Sequence, residues 1–179
     1  MEEHLLVKRC LQGKAQAQRL LYERFKGRLF GLCLRYADSE DEALDMLQEG
    51  FIKVFRDLHQ FRGEGPLEAW LRRVVVNAAI SRLRKKTWVK ETDFDWDQLP
   101  EQVEEYTPDS MDVEEVIRLI QQLPKGFRTV FNLYAVEGYS HREIAQILGI
   151  AESTSRSQYQ RARKMLQEWL KSSGVRSEE

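Results

Sequence analysis

The chain has 179 residues, enough for one domain or two small ones, and its 32% charged residues, four prolines and ten glycines fit a largely helical protein. Its net charge of −1 argues on its face against a nucleic-acid partner. The distribution reverses that inference: residues 1–90 carry 18 Lys and Arg against 12 Asp and Glu, residues 91–115 none against 11, and residues 116–179 ten against six. Two basic blocks therefore flank a purely acidic one. No apolar run approaches the roughly twenty residues of a bilayer span, and the acidic start at Glu2 and Glu3 is not that of a signal peptide. No membrane insertion and a cytoplasmic location are expected. Cys10 and Cys33 lie on helical patterns with no Cys-x-x-Cys pair and no histidine at ligand spacing, which predicts two buried free thiols, no metal and no cofactor.

From Glu2 to Leu11, the residues Leu5, Leu6, Val7, Cys10 and Leu11 predict an amphipathic helix that Gly13 interrupts. A second helix restarts near Lys14 and carries Leu20, Leu21, Phe25, Leu29, Phe30, Cys33 and Leu34 through to Ala37. Asp38, Ser39 or Glu40 then caps a third, from about Asp41 to His59. There Ala43, Leu47, Phe51 and Val54 face one way, while Asp41, Asp45, Gln48, Glu49 and Lys53 offer polar groups to another protein. Gly50 inside this helix costs about 1 kcal/mol against alanine and hints at a close approach.

Phe61 to Pro66 holds two glycines and a proline and reads as a loop. The helix from Leu67 to about Arg84 buries Leu67, Trp70, Leu71, Val74, Val75, Ala78 and Leu83 and presents Arg72, Arg73, Asn77, Ser81, Arg82, Arg84, Lys85 and Lys86. A basic helix beside a glycine-rich loop, with Phe61 and Trp70 near, suits single-stranded DNA: bases stack or enter a loop pocket while cations hold phosphates. A merely solvated basic face is the alternative.

Residues 91–111 are acidic, contain Pro100 and Pro108 and show no sustained period, which predicts a flexible linker. A short helix is expected from near Asp112 to Leu123, and another from Lys125 leads to Gly138. Ser140 and Glu143 then form a capping box for a helix bearing Ile144, Ile147 and Leu148, which Gly149 ends. Glu152, Ser153 or Thr154 opens a last helix to about Trp169 or Leu170, with Arg156, Arg161, Arg163 and Lys164 against few acids. Such a helix-turn-helix suits the major groove.

Several motifs stand in order along the chain: Asp45-x-x-Gln48-Glu49-x-Phe51, Phe61-Arg62-Gly63, Trp70-Leu71, Asn77-Ala78-Ala79-Ile80, the acidic connector, Leu123-Pro124, Gly138-Tyr139-Ser140, Glu143-Ile144-Ala145 and Arg161-Ala162-Arg163-Lys164-x-Leu166. With them the chain resembles the extracytoplasmic-function (group 4) bacterial sigma factors over nearly its whole length. The resemblance implies an all-α fold of two helical domains, a sigma-2-like bundle at 1–90 and a sigma-4-like helix-turn-helix domain at 112–179, joined by the acidic linker at 91–111. It implies RNA polymerase core, promoter DNA and an anti-sigma factor as partners.

By the same resemblance Asp41, Asp45, Gln48, Glu49, Phe51 and Phe55 bind core polymerase. Phe61, Arg62, Gly63, Asn77, Ser81, Arg82, Arg84 and Lys85 melt and read the minus-ten region, and Ser153, Thr154, Arg156, Ser157, Gln160 and Arg161 read the minus-thirty-five element. Ser155 stands where an aliphatic residue is usual and Tyr159 where leucine is common, so a loosened or rotated recognition helix is expected.

The implied mechanism is binding without catalysis. A stand-alone helix-turn-helix regulator, which would dimerise on a palindrome, is the runner-up, and a pure polymerase adaptor is a third reading. Against an enzyme acting on nucleotides stand the missing Walker-type glycine loop and the scatter of His4, His59 and His141.

Overall fold

A computed structural model describes residues 2–85 and 113–172, and all regular structure among them is helical. The chain divides into two compact units, Met1–Thr87 and Trp88–Glu179. The acidic linker expected at 91–111 lies outside the described residues.

In the first unit α1 spans Glu3–Leu11, α2 Ala15–Tyr36, α3 Glu40–Asp57 and α4 Leu67–Lys85, with a 3-10 turn at Leu58–Gln60 after α3. Gly13, at φ 72°, takes the left-handed conformation that a residue with a Cβ rarely adopts, and so separates α1 from α2. Ser39 supplies the cap of α3: its hydroxyl accepts from the Glu42 N–H at 3.1 Å, and the Glu42 carboxylate accepts from the Asp38 N–H at 2.7 Å. Cys10 and Cys33 are free and buried, as the pattern predicts, and burial pushes the Cys33 thiol up to about 12.

One expectation changes at α4. It is read from sequence as one-sided, yet Val76, Ala79 and Ile80 are buried along with Leu67, Leu71, Val75, Ala78 and Leu83, while Trp70 and Val74 are only half-buried. The cause is its central place, packed against both α2 and α3, which leaves a narrow polar strip to solvent. The close approach hinted at by Gly50 is internal: a Cβ there would lie 3.0 Å from Cγ2 of Val75 on α4.

In the second unit α5 spans Val113–Gln122, α6 Lys125–Phe131, α7 His141–Leu148 and α8 Glu152–Ser172. Between α6 and α7, Asn132–Val136 forms a π-helical turn, closed by the Glu137 N–H donating to the Asn132 carbonyl at 2.9 Å. Leu123, Phe127, Ala162 and Met165 make the core, covered by Phe131, Leu166 and Trp169. The predicted capping box is present, with the Glu143 N–H donating to Ser140 Oγ at 3.2 Å and the Ser140 N–H donating to the Glu143 carboxylate at 2.8 Å. Gly149, at φ 67°, ends α7 in the left-handed conformation.

Candidate functional site

The corner between α7 and α8 presents one polar face to solvent. Ser153, Arg156, Ser157 and Gln160 are all exposed and stand at i, i+3, i+4 and i+7, the spacing of one side of a helix. Ser155, Ala162 and Met165 are buried on the other side. Thr154 and Arg161 are half-buried at the flanks of the exposed face. Arg156 pairs with Glu152 one turn back, which holds the guanidinium along the helix while leaving its side chain 62% exposed.

Behind this face the two residues that depart from the sigma-factor pattern meet. Ser155 is fully buried and its hydroxyl is hydrogen-bonded to Nδ1 of His141, at the start of α7, at 2.9 Å. The His141 ring stacks on Tyr134 with centroids 4.2 Å apart, and Tyr159 packs against Tyr134 at 4.5 Å and His141 at 5.8 Å. Both residues at which a loosened or rotated helix is expected are thus engaged in contacts that tie α8 to His141. Serine loses the packing of an aliphatic residue, but it gains a buried hydrogen bond, and Tyr159, one turn further along α8, packs on the same His141 and on Tyr134. Burial, reinforced by the nearby Arg156 cation and opposed by Glu152, lowers the pKa of the His141 imidazole.

In the first unit the outward face of α3 carries Asp41, Asp45 and Gln48, all exposed, with Glu49 half-exposed. Leu44, 43% exposed, and Ile52, 68% exposed, lie on the same side and escape a reading that follows only the core stripe. Their signal was present: they are apolar residues out of phase with Ala43, Leu47 and Val54. Phe51 lies beneath this face. It is 4% exposed and packs against Tyr22 with centroids 4.7 Å apart, so its place is the core, where burial contributes about 1.5–3 kcal/mol. Phe55, half-buried and 6.1 Å from Phe51, reaches the surface.

Arg82 makes its contacts to α3. Its guanidinium donates to Glu49 Oε1 at 2.5 Å and Asp45 Oδ2 at 3.1 Å, and its side chain is 21% exposed, so it is turned onto α3 rather than held out for phosphate. Asn77, Ser81 and Arg84, by contrast, are exposed at i, i+4 and i+7 along α4, with Arg73 one turn earlier. Lys85 is the last residue of that helix.

Phe61 and Trp70 face each other at 5.8 Å, and with Arg62, Glu64, Pro66 and Arg73 they line a hollow of about 440 Å³ between the loop and α4. Gly63, exposed at φ 73°, gives the loop a left-handed residue between Arg62 and Glu64. Half-buried aromatics at the edge of an open hollow, with cations along one helix, are what an unpaired strand requires.

A helix-turn-helix with an outward polar face, carried with a second helical unit of this kind, defines a DNA-reading protein. Residues 21–89 match sigma-70 region 2 and residues 113–166 match sigma-70 region 4. The ECF RNA polymerase sigma-E factor of Haemophilus influenzae is 32% identical over 182 residues, 93% of this chain and 94% of the relative. The RNA polymerase sigma-H factor of Pseudomonas aeruginosa is 31% identical over 183 residues, 94% of each.

Among solved structures, the sigma factor RpoE from Bartonella quintana, in complex with the anti-sigma factor NepR, matches with a TM-score of 0.54 at 25% identity, covering 88% of this chain and 98% of that one. CnrH in complex with the cytosolic domain of CnrY shares the fold, with a TM-score of 0.50 at 21% identity over 94% of this chain and 96% of that one. The chain belongs to the sigma-70 family, in its extracytoplasmic-function group. It is a transcription initiation factor that directs RNA polymerase to promoters.

Proposed function

We propose that the outer face of α3 docks on core RNA polymerase through Asp41, Asp45, Gln48 and Glu49, joined by Phe55 at the surface and by the apolar Leu44 and Ile52. The Phe61–Gly65 loop and the Asn77–Ser81–Arg84 strip, continued by Lys85, capture the unpaired minus-ten strand. Ser153, Arg156, Ser157 and Gln160 read the minus-thirty-five duplex, with Thr154 and Arg161 at the edges. The reading is organised as residues 1–90, an acidic linker at 91–111 and residues 112–179, and the linker threads a basic channel of the polymerase in place of nucleic acid. The protein acts in the cytoplasm by binding alone, with no catalysis of its own.

The observation that carries this reading is the exposed face of α8 at Ser153, Arg156, Ser157 and Gln160, set at a corner fixed by a capping box and a left-handed glycine. Among the described residues, the two proposed DNA-facing surfaces each present few cations, so DNA binding becomes strong only when polymerase holds both. An anti-sigma factor, as found with the Bartonella quintana relative, covers the polymerase-binding surfaces of this chain. The test adds the protein to sigma-free core polymerase on a genomic template and maps transcript starts. Defined starts are expected; none at all, or tight promoter binding by the free protein at physiological salt, overturns the reading.

A further inference from the structure

The loop after the Leu58–Gln60 turn has a hollow on each side. The one toward α4 belongs to the site already described. The other, about 700 Å³, opens between the loop and α1. Val7, 7% exposed, with Leu11 and Phe61 gives it apolar walls, and His4, Lys8, Gln12 and Arg62 give it a polar rim. Both hollows share Phe61, Arg62 and Gly65, so they are two sides of one short wall.

The α1 side is held in place. Glu3 at the start of α1 accepts a hydrogen bond from the Leu67 N–H, the first residue of α4, at 3.3 Å, and pairs with Arg24 of α2 at 3.7 Å. Its side chain, 40% exposed, also lies on this rim, where Arg24 offsets part of its charge. α1 packs against the Leu58–Gln60 turn as well, so the hollow is bounded before any ligand arrives.

We propose that this second hollow takes the nucleotide adjacent to the one bound on the α4 side, so that the unpaired strand straddles the loop and α1 reads a base. The chemistry fits one nucleotide. Phe61 offers a flat face and Leu11 an apolar contact to a base, the Gln12 amide can donate to and accept from its edge, and Lys8 and Arg62 carry the charge that a bridging phosphate needs. This inference rests on the loop being the strand-capturing element, and it adds α1 to that element.

The test uses holoenzyme reconstituted from the full chain and core polymerase, on a promoter found by start mapping. Every position of its melted segment is varied, and 2-aminopurine placed at successive positions reports which bases leave the stack. Lys8→Ala combined with Gln12→Ala is compared with Asn77→Ala; both α1 side chains are exposed, and a thermal melt matching the wild type establishes that the variant folds. The expected result is about a tenfold loss of open complex in the α1 variant, with base preference flattened at a single position next to the one that Asn77→Ala flattens.

Unchanged preference and open-complex yield in the α1 variant, with Asn77→Ala impaired, overturns this proposal and leaves the proposed function standing. A uniform loss at every position overturns base reading by α1 in favour of a phosphate contact alone. Absence of any specific start from the wild type removes the proposed function and this inference together.

Discussion

The Ser155 hydroxyl and Nδ1 of His141 lie 2.9 Å apart in a buried setting, joining α8 to the start of α7. Removing the hydroxyl leaves an imidazole nitrogen out of water with no partner, which costs about 1–3 kcal/mol. Ser155→Ala is therefore expected to lower the urea midpoint of the protein. A double-mutant cycle with His141→Ala is expected to return a coupling of about 1 kcal/mol, since each single change removes the same bond. Strict additivity would show the contact to be energetically idle.

Acidity acts on the same contact. His141 is held below its ordinary value of 6.5, first by burial and then by the Arg156 cation, with Glu152 opposing. The unfolded chain thus takes up the proton first. The stability this group contributes is complete above pH 6.5 and is lost as pH falls through that value toward the lower folded one. Denaturation at about pH 7.5 and about pH 5.5 is expected to show a lower midpoint in acid, with a smaller difference for His141→Gln. Glu143, lowered from 4.5 by its bonds to Ser140, has its stabilising ionised form fully present above that value and loses it only below, so the two windows separate.

Gly50 and Val75 set how closely α3 and α4 approach. Val75 is fully buried and branched at Cβ, so its methyl groups cannot swing aside without leaving a preferred rotamer. Gly50→Val is expected to destabilise the first unit by roughly 1–3 kcal/mol, more than the gain in helix propensity, which is under about 1 kcal/mol. Val75→Ala introduced beside it is expected to recover part of that loss, read in the same denaturation series. No recovery would place the strain elsewhere.

The three arginines divide by what they touch. Arg82 ties Asp45 and Glu49 together near the surface, an arrangement worth about 0.2–1 kcal/mol per pair. Arg82→Ala is expected to leave stability nearly unchanged and to alter affinity for core polymerase by releasing both carboxylates. Arg84→Ala is expected instead to lower open-complex formation with a shallower salt dependence. Arg156→Ala is expected to spare polymerase binding while costing about 1–3 kcal/mol of discrimination at a base of the upstream element. Titrations with labelled core and promoter variants separate the three, and the reverse pattern would exchange their assignments.

What could be read from the residues was local or periodic. Ser39, Ser140 with Glu143, and Gly149 announce helix ends because a cap joins groups three or four residues apart. The stripes of α2, α3 and α7 announce buried faces because a helix repeats every few residues. The order of motifs also carried the family.

Tertiary structure decided the contacts between residues far apart in sequence. Arg82 reads as one more cation of a basic helix until Asp45 and Glu49 are brought to it from 37 and 33 residues away. Phe51 belongs to a recognisable motif, yet its ring is taken up by Tyr22, and the void that Gly50 leaves is filled by Val75. Ser155 marks the division most clearly: by sequence it is an aliphatic position filled by a polar residue, and its partner lies fourteen residues back. Periodicity tells a side chain which way to point, whereas only the packed helices determine whether it meets water, an opposite charge or a hydrogen-bond partner.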